Sequence, residues 1–201
     1  MITTIIFDLG GVLIDWKPEY LYTNIFADEM EMRHFLDTVC SGDWNEEQDA
    51  GRTIKEGTDF LVSQFPDHEE NIKAYYGRWE EMLGGAIGET VEIFKELKSA
   101  EKYKIYALTN WSEETFPIAQ RKFDFLNWFD GIVVSGTERM RKPDPSFYQL
   151  ILDRYQLPAD EVLFIDDNLR NIKAALEMGI DSIHFTSPEE LRIELEERGG
   201  L

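Results

Sequence analysis

The stretch Thr3-Thr4-Ile5-Ile6-Phe7-Asp8-Leu9-Gly10-Gly11-Val12-Leu13-Ile14-Asp15 decides how the rest of the chain is read. Thr3 to Phe7 is β-branched or aromatic throughout and carries no charge, which suits a strand buried on both faces, as in a parallel sheet. A carboxylate, Asp8, follows at the strand's carboxyl end. Gly10 and Gly11 come next, where a sharp turn or a close backbone approach needs residues without a side chain. In open α/β sheets, ligands bind beyond the carboxyl ends of the strands. Alone, the stretch leaves two readings level: a ligand-facing carboxylate, or an aspartate that opens a turn.

After Asp15 the pattern is helical. Segments 28–40, 53–65 and 67–83 read as helices. In the last of these, Ile72, Tyr75, Tyr76, Trp79 and Leu83 fall on one helical face, a spacing commoner in a core than in a ligand site. Gly84, Gly85 and Gly88 mark a break, and no strand-like run appears between Lys17 and Gly88. From Glu89 helices and strands alternate, with strands expected at 104–108, 131–135, 162–165 and 181–185. A helix begins near Ser112 or Thr115, and Pro117 fits a first turn better if Thr115 is the cap. Asp144 caps another, with Pro145 at its first position. The helix 169–178 is stopped by Gly179, and Ser187, Pro188 and Glu190 open the last one.

Strand starts at 104, 131 and 162 are about one βαβ unit apart, roughly 30 residues each. From the first strand to the one at 104 is about 100 residues, roughly 70 more than such a unit needs. The surplus is a helical lobe inserted into an α/β core. The expected organisation is a parallel-sheet core formed by residues 1–16 and 89–201 and an all-helical cap at 17–88.

Among 201 residues, 43% are hydrophobic and the net charge is −20. That surface repels phosphate backbones, so no nucleic-acid partner is expected. Part of the excess belongs to solvated helix faces such as 189–197. An anionic substrate would need a local cation, either a divalent metal or a few placed basic residues. No apolar run approaches the ~20 residues of a membrane span. The first residues lack a basic region before the apolar run that Asp8 cuts short, so no membrane partner and a cytoplasmic location are expected. Cys40 is the only cysteine, which leaves no internal disulfide and no cysteine metal cluster. It reads as a half-buried structural thiol.

The expected strands end in polar chemistry. Asp8 ends the first, Thr109-Asn110 ends the one at 104, and Asp166-Asp167-Asn168 ends the one at 162; the stretch after the strand at 131 leads to Arg141-Lys142-Pro143-Asp144. Parallel strands bring all these ends to one edge. Converging carboxylates repel unless a cation joins them. Oxygen ligands of this kind suit magnesium, which keeps waters and shares phosphate oxygens. Lys142 supplies a point charge for a phosphate, and Thr109 and Asn110 can donate to the same group. Asp8 is then a candidate nucleophile. The structural alternatives are a helix N-cap for one of Asp166 and Asp167, and a solvated charge for Lys142.

Phe7-Asp8-Leu9-Gly10-Gly11-Val12, Leu108-Thr109-Asn110, Arg141-Lys142-Pro143 and Phe164-Ile165-Asp166-Asp167-Asn168 together resemble the four motifs of the haloacid dehalogenase-like hydrolase superfamily. Their order and spacing agree over the whole chain, and the branch with small helical caps that includes glucose-1-phosphate phosphatases is the most similar. The resemblance implies a Rossmann-like core, Asp8 as nucleophile with Lys142 beside it, and Mg²⁺ held by Asp8, the Gly10 carbonyl and Asp167, with Asp166 as a ligand or just behind. It implies phosphate binding by Thr109, Asn110 and Lys142.

Gly10 departs from that pattern. Most phosphatases of the family carry a second aspartate there, as general acid and base, and such a group contributes ~10²–10⁴-fold. Asp15 is a poor replacement if it caps the first cap helix. Asp49 or Glu46, in the stretch 43–49 that resembles the family's substrate-specificity loop, are the candidates. The reading that follows is a Mg²⁺-dependent phosphatase acting on a small phosphorylated metabolite, with sugar phosphates among the candidates. Its rivals are a 2-haloacid dehalogenase, for which Gly10 is no handicap because halide leaves without a proton, and a non-catalytic phosphate-binding regulator. Dehalogenases of this family need no metal, usually carry tyrosine at the Gly10 position, and leave the Asp166-Asp167 pair unexplained.

Overall fold

A computed structural model of the protein describes residues 1–199. The first strand, β1 (Thr4–Phe7), is buried along its whole length. Leu9 to Ile14 then turn tightly, with the Leu9 carbonyl accepting from the N–H groups of Leu13 and Ile14, both at 2.9 Å. The chain leaves along β2 (Ile14–Trp16) and passes through α1 (Glu19–Tyr22), α2 (Glu29–Thr38), α3 (Gly42–Asp49), α4 (Ile54–Gln64) and α5 (Glu69–Gly77). It returns along β3 (Leu83–Ala86), antiparallel to β2. One short ribbon therefore holds both ends of the insertion.

That ribbon corrects the expectation of no strand before Gly88. Leu83-Gly84-Gly85-Ala86 has almost no side chain to alternate, and its pairing comes from β2. The helix expected at 67–83 is also shorter: α5 ends at Gly77, and a 3₁₀ turn (Trp79–Met82) follows. Ile72, Tyr75 and Trp79 are nonetheless buried. Asp15 caps nothing. Its carboxylate accepts from the Tyr20 hydroxyl and lies 3.6 Å from Lys17, and no side chain caps α1.

The remaining elements are α6 (Gly88–Ser99), β4 (Lys104–Thr109), α7 (Phe116–Lys122), β5 (Gly131–Val134), α8 (Ser135–Glu138), α9 (Pro145–Tyr155), β6 (Val162–Asp166), α10 (Leu169–Glu177), β7 (Asp181–His184) and α11 (Pro188–Glu197); they alternate as expected except that Ser135 opens the short helix α8 instead of ending a strand. The sheet order is β5-β4-β1-β6-β7, and every neighbouring pair is parallel. This is an α/β, Rossmann-like core with an inserted helical cap. β1 lies at its centre, which explains its lack of charged positions. Ile5 and Phe7 face one apolar cluster and Ile6 the other, and the first cluster continues into the insertion through Tyr22, Phe35, Trp44 and Tyr75.

Helix starts follow local chemistry. The Asp144 carboxylate accepts from the Ser146 N–H at 2.8 Å, and Ser187 Oγ accepts from the Glu190 N–H. Thr115 stands before α7, but its hydroxyl accepts from Trp111 Nε1 at 3.1 Å and not from a helix N–H. Asn168 caps α10, so neither Asp166 nor Asp167 is the cap. Cys40 is buried rather than half-buried, and burial pushes its thiol up to about 12, as befits an inert structural group. Among the described residues no helix is long and apolar enough to cross a membrane.

Candidate active site

β1, β4 and β6 run side by side in register, with Phe7 between Ala107 and Ile165. Their carboxyl ends place Asp8, Thr109 and Asp166 together. Asp8 is 8% exposed. Its Oδ1 accepts from the Leu9 N–H at 2.7 Å, and its Oδ2 lies 2.9 Å from Lys142 Nζ. Lys142 is fully buried and donates to Asp166 Oδ2 at 2.7 Å. Asp166 Oδ1 accepts from the Asn168 N–H at 2.8 Å, and Asn171 Nδ2 stands 3.1 Å from both Asp166 oxygens.

Asn110 clamps the lysine's main chain. Its Nδ2 donates to the Lys142 carbonyl at 2.9 Å, and its Oδ1 accepts from the Lys142 N–H at 2.8 Å. The amide thus orients the lysine, with a second N–H still available for a ligand. Asp167 is exposed and lies against Gly11. Gly11 has φ +72°, and a Cβ there would stand 2.2 Å from Asp167 Oδ2, so only glycine lets this aspartate approach the turn.

The electrostatics call for a cation. Burial pushes the Asp8 carboxyl up, Lys142 opposes this, and the Asp166 and Asp167 carboxylates push it further up. Burial and Asp166 likewise raise Asp167. Burial alone would lower Lys142, but Asp166 and Asp8 outweigh it and keep the ammonium charged. Carboxylate oxygens of Asp8, Asp166 and Asp167 lie within 4.8 Å of one another. One lysine does not neutralise them, and a hard divalent cation fits the oxygen donors present.

Beside this edge lies a cavity of about 60 Å³. The core lines it with Gly10, Asn110, Trp111 and Thr115, the ribbon with Trp16, and the insertion with Asn45, Asp49, Tyr76 and Trp79. Sequence periodicity assigned Tyr76 and Trp79 to the core, whereas both also face this cavity. Trp16 and Trp111 carry no periodic signal of a ligand role; what could point to them is position, since Trp111 directly follows Asn110 and Trp16 lies four residues after Val12. Asn171 was also missed; its five-residue offset from Asp166 puts it on the first turns of α10.

The two acidic candidates of the insertion separate. The segment around them is the helix α3 and not a loop, opened by Ser41 Oγ accepting from the Trp44 N–H. Glu46 is tied to Arg141 at 3.2 Å and to Arg170 at 2.7 Å. Asp49 lines the cavity, and its Oδ2 accepts from Asn45 Nδ2 at 3.0 Å. Burial and then Glu46 raise the Asp49 carboxyl to about 7, against the Ser112 backbone N–H and Arg141. A carboxyl raised on folding favours the folded state below its unfolded value and loses that contribution as pH rises through the folded one. Asp49→Asn is therefore expected to gain thermal stability over the wild type as pH goes from about 5 to about 8. Melting curves check this, and a difference independent of pH would contradict the raised value.

The family model for haloacid dehalogenase-like hydrolases matches residues 2–179. A sesquiterpene phosphatase of Aspergillus oryzae, astK, is 29% identical over 196 residues, covering 97% of this chain and 95% of that protein. A drimenol cyclase of Aspergillus calidoustus, drtB, is 26% identical over 198 residues; the match covers 97% of this chain and 36% of that protein, so the chain spans about a third of the cyclase's length. A HAD family enzyme from Bacteroides thetaiotaomicron, solved as a mutant with magnesium and inorganic phosphate, has the same fold, with a TM-score of 0.72 at 23% identity over 93% of this chain and 95% of that one. With the four motifs gathered at one sheet edge, the chain belongs to the haloacid dehalogenase-like hydrolase family.

Proposed function

We propose that this hydrolase is a Mg²⁺-dependent phosphatase that transfers the phosphoryl group of a small ester to Asp8 and then to water. The observation that carries the reading is the buried Asp8–Lys142–Asp166 array with Asp167 beside it. A carboxylate nucleophile for an anionic substrate needs positive charge at the same point. Asp8, Asp167 and the Gly10 carbonyl would hold Mg²⁺, with Asp166 behind them; when bound, the ion neutralises charge on the phosphoryl oxygens. Lys142 binds a phosphoryl oxygen, held by Asp166 from one side and by Asn110 through its main chain. Thr109 and the second Asn110 N–H complete the phosphate cradle. A dehalogenase has no use for this carboxylate cluster, and a regulator has none for a buried nucleophile.

Residues 17–88 are the substrate-specifying cap. The walls it shares with the core, Trp16, Tyr76, Trp79 and Trp111, suit a ring or a hydrocarbon on the alcohol side. Sugar phosphates fit this wall by stacking, in keeping with the glucose-1-phosphate phosphatase resemblance. Phosphates of apolar alcohols fit it by burial, in keeping with the sesquiterpene phosphatase relative. A panel of sugar, aryl, alkyl and prenyl phosphates, assayed with and without Mg²⁺, tests the proposal. Mg²⁺-dependent phosphate release from at least one class is expected. Turnover unchanged by EDTA, or release of halide from 2-haloacids in place of phosphate, would refute it. Asp167→Ala is expected to lose both activity and Mg²⁺ response, by roughly 10²-fold or more at fixed Mg²⁺. Titrating activity against Mg²⁺ checks this, and an unchanged half-saturation would remove Asp167 from the ligand set.

A further inference from the structure

We propose that Asp49, carried in by the helical insertion, is the general acid and base of this site, standing in for the side chain that Gly10 lacks. The inference rests on the phosphatase reading. A Cβ built on Gly10 meets nothing within 4 Å. The place of the missing group is therefore open space and not filled by packing. Gly10 and Asp49 line the same cavity, together with Asn110 of the phosphate cradle.

The insertion is held so that Asp49 keeps this position. Ser135 Oγ, at the end of β5, donates to the Asp49 carbonyl at 2.5 Å. Two residues later, Gly51 has φ +97°, and a Cβ there would stand 3.0 Å from the Gly136 carbonyl, so the insertion backbone lies directly on the core. The Glu46–Arg170 pair spans the same seam at 2.7 Å. Within the insertion, the Tyr76 hydroxyl donates to Asn45 Oδ1 at 2.9 Å, and Asn45 in turn donates to Asp49 Oδ2 at 3.0 Å. This relay fixes the carboxyl's rotamer. The other acids nearby are committed elsewhere: Glu46 to two arginines, Asp15 to Tyr20 and Lys17. A carboxyl raised to about 7 is half protonated at neutral pH, the state an acid that later serves as a base requires.

An Asp8 oxygen bonds to phosphorus, the bond from phosphorus to the ester oxygen breaks, and the leaving oxygen takes the Asp49 proton, releasing the alcohol. A water oxygen then bonds to phosphorus while Asp49 takes a proton from that water. The bond from Asp8 to phosphorus breaks, phosphate leaves, and both aspartates return to their starting states. Water supplies the proton that the alcohol carries away.

The test is log kcat/KM against leaving-group pKa, for aryl and alkyl phosphates at saturating Mg²⁺, in the wild type, Asp49→Asn and the double variant Gly10→Asp with Asp49→Asn. A shallow wild-type slope is expected. Asp49→Asn should steepen it, with alkyl esters losing ~10²–10⁴-fold more than 4-nitrophenyl phosphate. The double variant should restore a shallow slope, since Gly10 has room for a side chain and lacks a left-handed φ. Parallel lines for wild type and Asp49→Asn, displaced equally for all esters, would show a structural role and overturn the proposal while leaving the phosphatase reading intact. Absence of Mg²⁺-dependent hydrolysis by the wild type across the panel would overturn both.

Discussion

Asp8→Asn is expected to lower turnover of every ester the protein hydrolyses by roughly 10⁴–10⁶-fold, the range seen when a catalytic nucleophile is removed. The amide has nearly the carboxylate's shape but no charge to donate to phosphorus. Stability should change little because two effects oppose. The Leu9 N–H and Lys142 Nζ each use one Asp8 oxygen, at 2.7 and 2.9 Å, and asparagine offers a single acceptor, so one donor loses its partner. Repulsion from Asp166 and Asp167 is relieved at the same time. Kinetics and thermal unfolding on the same preparation separate chemistry from folding. Phosphatase activity within about tenfold of wild type would remove the covalent route.

Lys142→Met is expected to be the most destabilising single change at the site, by about 3–5 kcal/mol. The lysine side chain is wholly buried between two carboxylates. Methionine fills similar volume, so the loss reports charge and not a cavity. Without the ammonium, the Asp8 carboxyl, already pushed up by burial, rises further. A raised folded pKa means stability that is present at low pH and lost as pH rises, so the deficit should be wider at about pH 8 than at about pH 5. Mg²⁺ should restore part of it by binding the folded state alone. Urea denaturation in EDTA and in Mg²⁺ measures both effects. A loss below about 1 kcal/mol in EDTA would mean that the buried carboxylates are neutralised by something other than Lys142.

The parallel core was legible because its inner strands β1, β4 and β6 are short, largely apolar runs that end at or just before a polar residue, and β1 carries no charge. The meeting of the candidate residues was legible too, since Asp8, Thr109 and Asp166 sit at strand ends that a parallel sheet must align. What escaped the sequence depends on partners far along the chain. β3 has one sizeable side chain, Leu83, and only β2, nearly 70 residues earlier, makes it a strand. α3 buries only Trp44 and Gln48, too few positions to show a helical period. Asn110 could be named as polar, but its double bond to the Lys142 main chain spans 32 residues. Asp49 and Glu46 are three residues apart and look alike in the sequence; Arg141 and Arg170 take one and the cavity takes the other.

The central claim, a phosphoryl group carried on Asp8, can be measured without knowing the substrate. If Asp8 attacks phosphate and water reverses the step, inorganic phosphate incubated with the protein in ¹⁸O-labelled water must exchange its oxygens. Mass spectrometry of the phosphate is predicted to show exchange that requires both the protein and Mg²⁺ and that disappears in Asp8→Asn. Exchange no faster than the protein-free background, or equal exchange in wild type and Asp8→Asn, would contradict it.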